Sequence, residues 1–308
     1  MSVVANPPIE PPLTEIEIEG CRALEGHVEM LAGVIGVRHD SRPSSLDASV
    51  SYITREWEAM GETVRAEPYR TVAWEAKNLV VEWPGRDPKA PAVLVGAHYD
   101  TVRTTPGADD NASAAAVLLE ATRMLAGRRF RRTVRFVAFA NEEPPHFGTR
   151  TMGSRVYAEA CRARGEAVRA MVCLEMVGYF DCRRGKQSYP DELPRVVRPL
   201  LRDTGDFIAV VSDMSSCRVL RRFRRGFRRA SSLPMIAAPV PKARELLWLS
   251  DHGPFWDVGY PAMMVTDTSW FRNPNYHEMT DTPATLDYER MTRVLTGVVG
   301  GVAALASR

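Results

Sequence analysis

Residues 92–120 read AVLVGAHYDTVRTTPGADDNASAAAVLLE, and the order of their parts decides the fold class. The first six, AVLVGA, are continuously apolar, as expected of a strand buried on both faces. A polar turn follows, and then a helical run that extends to about residue 126. Working outward, the apolar runs TVRFVAFA (133–140), AMVCL (170–174), FIAVVS (207–212) and PAMMVT (261–266) read as further strands, as do 63–69 and 77–83. Helical spacing predicts helices over 15–36, 44–61, 149–164, 214–229 and 285–306, with Ser44 or Ser45 as a cap for the second. Strands alternating with helices mean an α/β fold. We expect a single domain with a mixed, mostly parallel sheet flanked by helices. Residues 15–62 form an N-terminal helical extension of the domain 15–308. Residues 1–14, with Pro7, Pro8, Pro11 and Pro12, form a disordered arm. The Pro- and Arg-rich segment 181–204 is an excursion.

Composition narrows the function. The chain has 308 residues, 45% of them hydrophobic and 25% charged, the mix of an ordinary globular protein. Lys plus Arg is 40 and Asp plus Glu is 38, a balance that argues against nucleic acid as a partner. No apolar run reaches the ~18 residues of a membrane helix. The N-terminus has neither a basic nor an apolar leader region, which predicts a cytoplasmic protein. The five Cys form no CxxC pair, against both a disulfide framework and a structural zinc site.

In open α/β sheets, functional groups collect beyond the carboxyl ends of the strands. Here those ends carry His98-Tyr99-Asp100, Asn141-Glu142-Glu143 and Glu175, and a late polar loop carries His277. Asp109 and Asp110 open the helix after the first of these strands. Two His with several carboxylates suit Zn²⁺ or a similar divalent ion, and are too oxygen-rich for a closed structural zinc site. A pair of ions about 3.5–4 Å apart would need a bridging carboxylate. Adjacent Glu142 and Glu143 offer a division of labour between metal ligand and proton carrier. Taken singly, His98 reads as a hydrogen-bonded His, Asp110 as a helix cap and Glu142-Glu143 as a solvated turn. Only the joint pattern points to a metal centre.

The strings VGAHYDTVRTTPGADDNASAAAVLLE, VRFVAFANEEPPHFGT, CLEMVGYF, SDHGPFWDVGYPAMMVTDT and YHEMTDTPATLDYERM together resemble the M28 family of zinc aminopeptidases, from about residue 17 onward. The resemblance implies an eight-stranded mixed sheet and two Zn²⁺ ions per chain. It implies His98 and Glu175 as ligands of one ion, Glu143 and His277 as ligands of the other, and Asp110 as the bridge. It also implies Glu142 as general base and Asp100 as the acid that orients the His98 imidazole. The implied activity is that of an aminopeptidase acting on peptides with a free N-terminus. A receptor-like inactive member, a glutaminyl-cyclase-like enzyme and a non-peptide amide hydrolase are the alternatives.

Two departures stand out. Secreted bacterial members carry a Tyr three residues before the Ser-Asp-His motif, bracketed by a disulfide, where it holds the tetrahedral intermediate. Here that position is Leu247, with no Cys nearby. Glu175 also replaces a commoner Asp. M20 carboxypeptidases share the ligand order, but usually with a longer gap than the 12 residues from His98 to Asp110 and with an inserted domain. HExxH, GxSxG, GxGxxG and GxxxxGK[ST] are absent. Trp270, Phe271 and Tyr276, near His277, and Met176, after Glu175, are candidate walls of a side-chain pocket. The basic run CRVLRRFRRGFRRA (217–230) reads as an amphipathic helix with Leu220, Phe223 and Phe227 inward, or as a rim that attracts acidic substrates.

Overall fold

The computed structural model describes residues 11–72, 74–191, 201–241 and 243–307. Residues 1–10 of the expected arm and 192–200 of the expected excursion lie outside the described residues. The end of the arm is not loose. Thr14 caps α1 (Glu15–Val28) in a capping box with Glu17, and the Pro11 carbonyl accepts from Arg293 at 2.5 Å. A π-helical turn, Glu29–Ile35, continues α1. Then α2 (Pro43–Ala59) starts on a proline, whose fixed φ suits a first helical position. Neither Ser44 nor Ser45 is its cap. Ser45 instead sends its hydroxyl back to the Val37 and Arg42 carbonyls.

The sheet has eight strands: β1 (Arg65–Arg70), β2 (Glu75–Trp83), β3 (Ala92–His98), β4 (Val134–Phe139), β5 (Val168–Glu175), β6 (Ile208–Ser212), β7 (Met235–Pro239) and β8 (Ala262–Thr266). Their order is β1-β2-β4-β3-β5-β8-β6-β7. The central β4, β3, β5 and β8 are mutually parallel, while β1–β2, β2–β4 and β6–β8 are antiparallel. β7 pairs parallel with β6 and closes the sheet on one side. Its apolar run, Met235–Ala238, is short and lies between Pro234 and Pro239, which mark it as an edge strand, five residues long and only partly buried.

Successive strand residues point to opposite faces. On β3, Val93, Val95 and Ala97 join one apolar cluster and Ala92 and Leu94 the other. α1, α2, α3 (Ala114–Leu125), α5 (Cys217–Ala230) and α8 (Tyr288–Ala306) contribute to the first cluster. The second holds α4 (Gly153–Ala163) and α7 (His252–Asp257), and a short α6 (Ala243–Leu246) precedes α7. Arg-rich α5 buries Leu220, Phe223 and Phe227. Burying each Phe is worth about 1.5–3 kcal/mol. It packs on α8 backbone to backbone: a Cβ on Gly226 would sit 2.2 Å from the Gly300 carbonyl oxygen. Among the described residues no helix is long and apolar enough to cross a membrane.

Candidate metal centre

The four parallel strands bring their carboxyl ends to one rim. β3 ends on His98, β5 on Glu175, and the chain leaves β4 into Asn141-Glu142-Glu143. Asp110 reaches the rim through the turn after β3. Gly107, at φ +62°, makes that turn possible, since a Cβ there would lie 2.2 Å from the Asp110 carbonyl oxygen. Asp281 holds the turn, accepting from the backbone N–H groups of Asp109 at 2.9 Å and Asp110 at 3.1 Å. His277 arrives from the loop before α8, and its carbonyl accepts from Thr104 at 3.3 Å.

Two ligand groups result: His98, Asp110 and Glu175, and Asp110, Glu143 and His277. In each, one donor atom per residue lies within 4.8 Å of the others. His98 Nε2 is 3.5 Å from Asp110 Oδ1 and 3.3 Å from Glu175 Oε2. His277 Nε2 is 3.2 Å from Asp110 Oδ2 and 3.5 Å from Glu143 Oε1. Asp110 thus offers one oxygen to each group. His98 Nε2, Glu143 Oε1 and His277 Nε2 are buried and have no hydrogen-bond partner. Buried polar atoms are normally satisfied, so three orphans aimed into one space need a partner such as a cation. The donor set, imidazole with carboxylate oxygen, fits zinc.

The charges agree with the geometry. Burial, then the Asp110 carboxylate, pushes Glu143 up to about 8. Burial holds Glu142 well above the usual carboxylate range, against the pull of His98. Burial opposes charge on His277, but Asp110 and Glu143 outweigh it and raise its pKa to about 10. A nest of acids this crowded gains most from divalent charge placed among them.

Asp100 ties the centre together. Its two oxygens accept the backbone N–H groups of Glu142 and Glu143, each at 3.0 Å. His98 Nδ1 lies 3.2 Å from the Asp100 carbonyl oxygen and 3.5 Å from its Oδ1. The Nδ1 proton is held there, and Nε2 faces the ligand space with its lone pair. Burial works against the charge of Asp100, but His98 and the two N–H groups hold its pKa below the usual range.

Sequence reasoning missed several supports. The Ser250 hydroxyl donates to Glu175 Oε2 at 2.5 Å, which steadies the longer side chain. Asn111 donates to the Leu174 carbonyl and accepts from the Met176 N–H, locking the turn to β5. Ser250 and Asp281 lie inside the quoted motifs, but no spacing rule links either to a ligand 75 or 171 residues away.

Beside the ligands lies a cleft of about 360 Å³. Trp270, Phe271 and Tyr276 line it, as does Leu247. Tyr276 stacks on His277 with ring centroids 3.7 Å apart. Met176 is fully buried, does not line the cleft, and accepts a hydrogen bond from Ser269 through its sulfur. The cleft floor comes from Ala209 and Val211 of β6, Ile236 and Ala238 of β7, and Met264 of β8. Among the described residues its acidic lining residues are Asp110, Glu143 and Glu175, which belong to the candidate ligand groups, and Glu142 beside them.

A family model described as peptidase family M28 matches residues 78–300. The chain is 34% identical over 284 residues to the uncharacterized protein YfbL of Escherichia coli, covering 90% of this chain and 85% of that one. It is 26% identical to a probable leucine aminopeptidase of Trichophyton verrucosum, over 70% of this chain and 53% of the relative, so it spans about half that protein's length. The zinc aminopeptidase BSAP of Bacillus subtilis shares the fold at 14% identity, with a TM-score of 0.70 over 93% of this chain and 95% of that structure. With a family match over residues 78–300, which span most of the sheet and every candidate ligand, this chain belongs to peptidase family M28.

Proposed function

We propose that this protein is an aminopeptidase that binds two Zn²⁺ ions and removes apolar N-terminal residues from peptides. The observation that carries the reading is the shared Asp110 carboxylate, with one oxygen toward each ligand group. His98 and Glu175 would hold one ion, Glu143 and His277 the other. Bound zinc supplies Lewis-acid charge at the scissile carbonyl and makes a nearby water more acidic.

The chain does the rest. Glu142 lies in the same cleft, its Oε2 3.8 Å from His98 Nε2, and its backbone is fixed by Asp100. Its carboxylate takes the proton of the attacking water and returns it to the departing amine. The apolar floor from β6, β7 and β8 receives the substrate's side chain and excludes water from it. Leu247 cannot donate to a developing oxyanion. Tyr276, which lines the cleft against His277, carries the hydroxyl for that task. Tyr276→Phe should therefore lower kcat by about 10²–10³ with KM little changed. An unchanged kcat would remove Tyr276 from the mechanism.

The reading is tested with zinc-loaded protein and paired peptides, one free and one N-acetylated, each beginning with Leu, Phe, Asp or Lys. Release of Leu and Phe from the free peptides alone is expected. Equal hydrolysis of the acetylated peptides would favour a different amidase. Cyclisation of N-terminal glutamine without hydrolysis would favour a glutaminyl-cyclase-like enzyme.

A further inference from the structure

Arg38 sits in the segment between the π-helical turn and α2, and none of it reaches solvent. Its Nε donates to the Tyr99 carbonyl at 2.7 Å and its Nη2 to the Gly107 carbonyl at 2.8 Å. Nη1 faces the carbonyls of Pro106 at 2.7 Å and of Leu31 and Gly36 at 2.9 Å. The backbone adds a reciprocal pair with Thr101: the Arg38 N–H donates to the Thr101 hydroxyl at 3.0 Å, and the Thr101 N–H to the Arg38 carbonyl at 2.9 Å.

Three of these five carbonyls belong to the loop that starts at His98 and ends at Asp110. No carboxylate touches the guanidinium among the described residues. The acids its charge reaches are Asp100, Asp281, Asp110 and Glu143, all ligands of the proposed centre or their supports. A buried cation with no contacting counter-ion is costly unless nearby charge and good hydrogen bonds compensate it. Here both do.

The next two residues grip the other ligand-bearing loop. His39 Nε2 is 3.2 Å from the Pro144 carbonyl oxygen. Asp40 lies 2.9 Å from His39 Nδ1 and 3.3 Å from His146 Nε2. Residues 38–40 therefore reach both the loop after β3 and the loop after Glu143.

We infer that Arg38 is a positioning residue of the metal centre: through the carbonyls of Tyr99, Pro106 and Gly107 it sets the spacing between His98 and Asp110 in one ligand group, and so the place of the Asp110 carboxylate that both groups share. The inference rests on the two-metal reading above. It makes the helical extension part of the active centre rather than an appendage to the sheet.

Lysine cannot replace this residue. Its ammonium is a point charge with three donors, whereas the guanidinium is a planar fork whose N–H groups address several carbonyls at once. Arg38→Lys should therefore keep the charge and still lower zinc affinity, by about 10–100-fold, as the loss of outer supports to metal ligands usually does. Affinity is read by competition with a chromophoric chelator, alongside the melting temperature without zinc. A purely structural role would lower that melting temperature and leave zinc affinity unchanged in the folded protein.

Thr101→Val is the second variant. It keeps the side-chain shape and removes the hydroxyl that accepts from the Arg38 N–H and donates to the carbonyl of the adjoining Val102 at 3.0 Å. One such hydrogen bond corresponds to about a 3–10-fold loss of zinc affinity. If Arg38→Lys does not fold, Thr101→Val decides. Zinc affinity within about twofold of wild type in the folded variants overturns the assignment to Arg38. A wild-type protein that binds no zinc overturns the two-metal reading and this inference with it. A wild type that loads zinc beside an equally loaded Arg38→Lys overturns this inference alone.

Discussion

Glu142→Gln is expected to leave zinc content intact while kcat falls by about 10²–10⁴, the usual worth of a positioned proton-transfer group. The amide keeps the shape of the side chain, and Asp100 still holds the backbone N–H of residue 142. What is lost is the only function we propose for this carboxylate. Its neighbour should behave differently. Glu143 Oε1 lies 3.5 Å from His277 Nε2, inside a ligand group. Glu143→Gln should therefore lose affinity for one ion and lose activity with it. Metal by mass spectrometry beside kcat separates the two outcomes. If Glu142→Gln sheds metal and Glu143→Gln retains it, the two roles are reversed. If neither changes turnover, the site is not catalytic.

Asp110→Ala should be more severe for metal retention than either Glu variant. Its oxygens are 3.5 Å from His98 Nε2 and 3.2 Å from His277 Nε2, so one truncation removes a ligand from both groups. It also removes the negative charge that would separate two cations, leaving them to repel each other. Both ions should be lost at zinc concentrations that saturate the wild type, and hydrolysis should fall below detection. The fold itself should survive, because both apolar clusters form without the ligands. Binding to the native state alone raises stability. Added zinc should therefore raise the melting temperature of the wild type and not that of the variant. A variant that still binds one ion with wild-type affinity would show that Asp110 is not shared.

The strands that carry the centre were legible because their neighbours in space are also apolar. β3, β4, β5 and β8 are almost entirely buried, so each reads as a mainly apolar run, interrupted only near its start by Arg135 in β4 and Arg169 in β5. β7 was not legible. Its apolar run is only four residues long and sits between Pro234 and Pro239, which argue against a strand unless it lies at a sheet edge, as β7 does. Two expectations for the N-terminal part of the chain also changed. Helix α2 starts on Pro43 without either serine as its cap, and residues 11–14 are held by Thr14 and Arg293. The Pro43 start and the Thr14–Glu17 box are local capping signals outside the apolar periodicity, and only the Arg293 contact comes from far along the chain.

By itself the sequence determined the α/β class, the strand ends where chemistry would gather, and the residue types gathered there. Strand periodicity and the carboxyl-end rule need only short windows of chain. Tertiary structure decided which of those residues meet. His98, Asp110, Glu175 and His277 close on one space only because β5 lies between β3 and β8, and because Asp281 and Gly107 shape the turn that aims Asp110. It likewise put Met176 outside the cleft while Tyr276 lines it, although both adjoin proposed ligands in sequence. Arg38 shows the limit most clearly. In the sequence it is one of many arginines, and only folding removes it from water and surrounds it with five carbonyl oxygens. Burial and long-range hydrogen bonding are properties of the packed chain, so no local pattern announces them.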